Sequence, residues 1–156
     1  MPEPALADFN QFLHKNIPSV RFMQLQLLSC TDKTLTAKAP AKPNLNDKQT
    51  IFGGSSGALM VVCGWSLIKY NLEQRGFNHD VVIAEAKTRW HKAQTEDLWI
   101  NAHTEISWSE TEMTLNNNQQ TKITIDAQIN NAKKQPCSTM TAIFVVLVNK
   151  TVKAKR

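Results

Sequence analysis

Cysteine is scarce in this chain, and the three present, Cys30, Cys63 and Cys137, are odd in number, far apart and never in a CxxC pair. That spacing supports neither a disulfide framework nor a zinc site, and a reducing compartment fits it best. Long apolar runs are missing too. The longest, Ala58 to Ile68, stops at Lys69, well short of a bilayer span. Met1-Pro2-Glu3-Pro4 has neither the basic nor the apolar part of a secretory leader, so the cytoplasm is the expected location. His79, His91 and His103 show no HExxH-like spacing, which leaves no metal centre to expect. Zinc-finger, helix-turn-helix and aromatic-interleaved basic patterns are absent, which argues against nucleic acid as a partner. One further absence carries chemical weight: no Asp or Glu occurs between Phe52 and Glu73.

What is present suits a globular chain. With 156 residues, 42% hydrophobic and 20% charged, residues 1–156 read as a single domain able to bury a core. The net charge of +5 comes partly from a basic tail over residues 150–156, expected to be a solvated, flexible end. The charge-matched partners are then an acidic protein or a phosphate-bearing cofactor.

Leu6, Phe9, Phe12 and Leu13 recur at helical spacing over Ala5 to Lys15, and Pro18 closes that segment. Val20 to Ser29 and Lys33 to Ala39 read as strands around Cys30-Thr31-Asp32, although Leu27-Leu28 breaks the alternation of the first. A helix runs from Ser55 to about Gln74 and stops at Gly76. Lys69 is its only charge before Glu73, so it should be enclosed on nearly all sides.

Period two then predicts four strands. Val82, Ala84, Ala86, Thr88 and Trp90 share one face of the first, with Glu85, Lys87, Arg89 and His91 on the other. The second alternates from Leu98 to Trp108, the third carries Ile123, Ile125, Ala127 and Ile129, and the last, Thr139 to Val148, is apolar on both faces. Asn116 to Gln120 reads as a polar turn, and Trp90, Trp99 and Trp108 as core or interface residues. An α+β fold in which a curved antiparallel sheet wraps one long central helix satisfies this order.

The most informative stretch leads into that helix: Pro43-Asn44-Leu45-Asn46-Asp47-Lys48-Gln49-Thr50-Ile51-Phe52-Gly53-Gly54-Ser55. The first N–H groups of a helix lack internal partners, and glycine lets a ligand approach them closely. Gly53, Gly54 and Ser55 are therefore candidate donors to a carbonyl oxygen, or else a tight turn followed by an N-cap serine. Asn46 and Asn44 are candidate amide donors, or else Asx-turn residues bracing the loop. Asp47 reads as a solvated turn residue before it reads as a base, and Cys63 and Ser66 as small buried helix residues before nucleophiles.

Asn46 followed by Phe52-Gly53-Gly54 resembles the Asn and His-Gly-Gly segment of the hotdog thioesterases. Ala39-Pro40, the Pro43–Lys48 run, the Thr50–Ser55 run and Gly64-Trp65 are more closely similar to the family labelled "putative thioesterase". Its members occur alone or behind an acetyltransferase domain and include malonyl-acyl-carrier-protein decarboxylases. The resemblance implies a hotdog fold and a homodimer or dimer of dimers with acyl-thioester sites at subunit interfaces. It also implies substrates carried on the phosphopantetheine of coenzyme A or acyl carrier protein, with no permanently bound cofactor. Glu85, Lys87 and Arg89 then become possible partner-chain or phosphopantetheine contacts, or a plain charge ladder.

Val61 stands where many hotdog thioesterases carry a helical carboxylate, and Phe52 where histidine is common. General-base assistance is worth roughly a hundred- to ten-thousand-fold, so its lack weakens hydrolysis. Losing CO2 from a malonyl thioester activates no water and instead gathers charge on the thioester oxygen, where each preorganised donor supplies roughly 3–4 kcal/mol. The expectation is a malonyl-acyl-carrier-protein decarboxylase making acetyl-carrier protein for fatty-acid initiation. Asn46 orients the group, while Phe52, Leu59 and the helix supply an apolar surround. The alternatives are a thioesterase acting on acyl-CoA or acyl-carrier protein, and a non-catalytic acyl-thioester binder.

Overall fold

The computed structural model describes residues 4–148, so the basic tail at 150–156 lies outside the described residues. Helix α1 (Pro4–Asn16) buries Leu6, Phe9 and Leu13, as their spacing predicts, while Phe12 is exposed. Where a strand was expected from Val20, the chain forms a second short helix, α2 (Pro18–Met23). Pro18 lies in its first turn, where a missing N–H costs nothing, and Gln24 ends it at φ 59°.

Strand β1 (Gln26–Cys30) therefore starts late, and a bulge between Leu27 and Ser29 explains the adjacent leucines: Leu27 is buried and Leu28 exposed. Asn10 of α1 braces this edge, donating to the Leu27 carbonyl at 3.0 Å and accepting from its N–H at 2.8 Å.

After β2 (Thr34–Ala39) and a single 3-10 turn (Lys42–Asn44) comes helix α3 (Gly53–Gln74), followed by β3 (Val81–Trp90) and β4 (Leu98–His103). The strand expected to reach Trp108 stops at His103, and Trp108–Asn116 is a helix, α4. Ser107 caps it, its hydroxyl accepting from the Glu110 N–H; Ser-Trp-Ser-Glu has the capping-box pattern that the apparent alternation of Ile106 and Trp108 masked. Strands β5 (Thr121–Asn130) and β6 (Pro136–Val146) complete the fold, with β6 beginning before and ending short of the expected Thr139–Val148.

The six strands form one antiparallel sheet in the order β1-β2-β4-β5-β6-β3. Helix α3 packs against every one of them, which is the expected hotdog arrangement. Leu59, Met60, Cys63, Leu67, Ile68 and Leu72 of α3 are fully buried, each such apolar side chain contributing about 1.5–3 kcal/mol. Closest approach falls at Gly64, where an added Cβ would lie 3.0 Å from Phe144 and 3.1 Å from Ile125. Lys69 stays buried by donating to the His79 carbonyl at 2.7 Å, and Gly76 ends the helix at φ 83°.

A bulge between Ile83 and Glu85 resets the alternation of β3. Ile83, Ala86 and Trp90 sit opposite Phe144, Ala142 and Ser138 on the helix side, whereas Val82 sits opposite Val145 on the outer side, contrary to the expected grouping. No helix among the described residues is long and apolar enough to cross a membrane.

Candidate active site

Two segments deliver groups to the start of α3. The first is the loop after β2, closed on itself by a bridge between Leu45 and Ile51. Asn46 braces that loop. Its Oδ1 accepts from the N–H groups of Lys48 at 2.9 Å and Thr50 at 3.1 Å, and its Nδ2 donates to the Thr50 hydroxyl at 2.9 Å. Asn44 is 1% exposed and donates through Nδ2 to the carbonyls of Met23 at 3.0 Å and Pro40 at 2.8 Å. Its backbone carbonyl accepts from the Phe52 N–H at 2.8 Å. Asn46 thus takes the loop-bracing place described for Asx residues, whereas Asn44 ties the loop to α2 and keeps its buried Oδ1 without a partner among the described residues. Asp47 is exposed and pairs with Lys48 at 3.6 Å.

Phe52 is the N-cap of α3 and offers no side-chain acceptor. Its carbonyl accepts from Ser55 N–H at 2.9 Å and Ser56 N–H at 3.1 Å. Ser55 N–H is therefore engaged, and the groups without an acceptor among the described residues are Gly53 N–H and Gly54 N–H. Each glycine makes room for a ring. A Cβ on Gly53 would meet Trp90 Nε1 at 3.3 Å, and one on Gly54 would meet the Phe52 ring at 2.5 Å. Two free N–H donors thus stand at the positive end of a long helix, with aromatic rings beside them.

The second segment, residues 90–94, follows β3. Trp90 Nε1 donates to the Gly53 carbonyl at 3.2 Å and the Ser56 hydroxyl at 3.0 Å, and Ser56 donates to the same carbonyl at 3.1 Å. Gln94 accepts the Ile51 N–H on its backbone carbonyl at 2.7 Å, joining the two segments. Its buried side chain donates to the carbonyls of Asp97 and Asn130.

Between these parts lies a hollow of about 270 Å³ lined by Gly53, Ser56, Trp90, His91, Gln94 and Ser138 among others. No carboxylate is among its lining residues. His91 shares a hydrogen bond with the Thr139 hydroxyl at 2.8 Å through Nε2, and Thr139 lies on the face of the sheet away from α3, so the imidazole stands across the sheet from the helix start. Reasoning from sequence passed over Trp90 and Gln94 as site residues. Their spacing carries no motif, and only contacts between distant segments bring them to the helix start.

The remaining sequence candidates lie elsewhere in the chain. Leu59 is fully buried in the core. Glu85, Lys87 and Arg89 face outward, opposite Ile143, Thr141 and Thr139, on the side of the sheet away from α3. Val61 is half-buried and, with Ile17, Val62, Trp65, Ile83 and Phe144, lines a second hollow of about 160 Å³ that is almost wholly apolar. Burial pushes the Cys63 thiol well above its ordinary value and the Cys30 thiol up to about 12, so both stay protonated and unreactive at neutral pH. Burial likewise raises Cys137, against a smaller opposing pull from the Lys92 charge.

The chain matches the family model described as "Putative thioesterase (yiiD_Cterm)" over residues 6–148. Among solved structures it is 26% identical to a putative thioesterase from Shewanella oneidensis. That match covers 92% of this chain and 97% of the other at a TM-score of 0.82. A Chlorobaculum tepidum protein of unknown function shares 22% identity, with coverage of 92% and 94% and a TM-score of 0.83. A Haemophilus influenzae thioesterase shares 14%, with coverage of 93% and 92% and a TM-score of 0.75. The last two show the fold alone.

Proposed function

We propose, from the premise that the chain belongs to the putative thioesterase family, that it hydrolyses acyl thioesters of coenzyme A or acyl carrier protein. The observation that carries this reading is the pair of free donors, Gly53 N–H and Gly54 N–H, at the start of α3, with Gly53 on the wall of a hollow. The thioester carbonyl oxygen would accept from both donors, which stabilise the charge that collects there as water adds. With no carboxylate on the lining, the attacking water would pass its proton to the departing thiolate. A carbon–oxygen bond forms, the carbon–sulfur bond breaks, and the thiol leaves with a proton while the acyl group leaves as a carboxylic acid. The apolar hollow along α3 suits a short acyl chain.

Strand β3 supports a second copy as partner. It pairs on one side with β6 alone and is ten residues long, with Val82, Ile83 and Trp90 all exposed. Unprotected edges of that length are templates for pairing. We therefore assign a homodimer joined at β3, to be checked by light scattering on the eluting protein; a monomer mass would reject it.

A second reading, the malonyl-carrier-protein decarboxylase expected from sequence, is favoured by one observation: no carboxylate lines the hollow to repel a malonyl group. One assay separates the two. Purified protein is incubated with acyl-CoA, acyl-carrier and malonyl-carrier thioesters, and free thiol and CO2 are measured. Thiol release is the expected result. CO2 without thiol would replace hydrolysis by decarboxylation, and binding without either product would make the protein a thioester binder.

A further inference from the structure

Ser138 and Gln94 both stand on the wall of the hollow beside Gly53, and each brings a polar atom without a partner among the described residues. Ser138 is only 4% exposed, yet its hydroxyl makes no hydrogen bond there. The side-chain atoms that are both sealed off and unpartnered belong to Asn44, Ser66 and Arg75, so Ser138 Oγ still reaches open space, and the hollow is the space its residue lines. Gln94 is 6% exposed, and its Nε2 donates to the carbonyls of Asp97 at 3.0 Å and Asn130 at 3.3 Å. Both partners are acceptors, which fixes the orientation of the amide and leaves Oε1 as an open acceptor.

Strand pairing brings the two side chains together. Ser138 opposes Trp90 on β3 and Ile129 on β5, and Asn130, the neighbour of Ile129, takes the Gln94 amide on its carbonyl. Directly opposed side chains on a sheet stand about 5 Å apart. The segment that carries Gln94 is held over the same place, because the N–H groups of His91 and Lys92 donate to the Cys137 carbonyl at 2.8 Å and 3.2 Å. Trp90, bonded to the Gly53 carbonyl at 3.2 Å, and Ile51, bonded to the Gln94 carbonyl at 2.7 Å, tie both groups to the first turn of α3.

An acceptor-only amide oxygen beside a hydroxyl suits a small molecule with two protons to donate, and water is the smallest. We propose that Gln94 Oε1 and Ser138 Oγ hold the water that attacks the thioester. By accepting both of its protons they turn its lone pair toward the carbonyl carbon whose oxygen rests on Gly53 N–H and Gly54 N–H. Neither group is a base, so they orient the water without deprotonating it. As the carbon–oxygen bond forms and the carbon–sulfur bond breaks, the proton goes to the departing thiolate. A glutamine amide orients attacking water in this manner in phosphoryl transfer, and the gain here is one of position. This inference rests on the reading of the chain as a hydrolase.

The test sets a high-resolution crystal structure of the unliganded protein beside steady-state kinetics of thiol release. One ordered water should lie within about 2.5–3.0 Å of both Gln94 Oε1 and Ser138 Oγ. Ser138→Ala removes an unpartnered hydroxyl, so thermal unfolding should change little, while the water leaves and kcat falls about tenfold at unchanged KM. Ser138→Thr returns the hydroxyl and should restore the water, with kcat within about threefold of the unmodified protein. A serine with a merely structural role would neither move kcat alone nor be rescued in this way. Thiol release without such a water, or an alanine variant of undiminished kcat, overturns the proposal and leaves the hydrolase reading in place. A water held by both groups in a protein that releases no thiol sinks the hydrolase reading, and only the water site survives.

Discussion

The loop at residues 40–52 and the segment at 90–94 meet at the start of α3, yet they contribute in opposite ways. The loop is rich in the amides expected of a binding site, but Asn46 holds the loop itself together and Asn44 anchors it to α2. The segment after β3 has no motif, and it places an indole against the first turn of α3, beside the free N–H groups. A polar side chain inside a tight loop finds nearby backbone partners first, because those contacts cost little ordering entropy. Groups arriving from a distant strand find local partners scarcer, and those left over face the ligand space.

The division of labour breaks most visibly at Gly53. Gly53→Pro removes the free N–H at the first helical position, where proline fits, and should lower kcat for thioester hydrolysis about a hundredfold or more with Tm little changed, as measured by thiol release and calorimetry. A fully active variant would reject the carbonyl-binding role of that donor. Asn44→Ala should show the opposite pattern. It strips the buried carbonyls of Met23 and Pro40 of a donor, costing about 2–4 kcal/mol and lowering Tm by roughly 5–15 °C in thermal unfolding.

Trp90→Phe keeps a ring beside Gly53 but removes the donor to the Gly53 carbonyl and the Ser56 hydroxyl. Loosening the first turn of α3 should reduce kcat/KM about tenfold. The smallest change belongs to Asn46→Asp, which preserves the oxygen that accepts from the Lys48 and Thr50 N–H groups. Activity should stay within about threefold. A loss comparable to that of Gly53→Pro would restore the amide to a catalytic role and undo the contrast between the two segments.

Much of the fold could be read along the chain wherever a pattern is local. The run from Gly53 to Gln74 has too little charge to be anything but an enclosed helix, and Gly76 marks its end. The alternation in β5 needs one buried face, and Ile123, Ile125 and Ile129 fill it. Misreadings fell where two local patterns compete over a few residues. Ile106 and Trp108 continue an alternation that Ser107 and Glu110 interrupt by capping a helix, and Val20 begins a strand-like run that Pro18 starts as a helix. The bulges at Leu27/Ser29 and Ile83/Glu85 were invisible, since a bulge is decided by the partner strand.

By itself, then, the sequence determined a buried helix, the strands to surround it, and two glycines at its mouth whose N–H groups could have no helical acceptor. These are consequences of periodicity and of the geometry of a helix end, which neighbours in the chain suffice to set. Only the tertiary structure decided which polar groups are left over to meet a ligand. Asn46 turns inward to its own loop and Asn44 reaches to α2, while the pairing of β3 with β6 carries Trp90 to the first turn of α3 and His91 to the far face of the sheet. Such proximity arises from contacts between residues distant along the chain, and no local pattern encodes it.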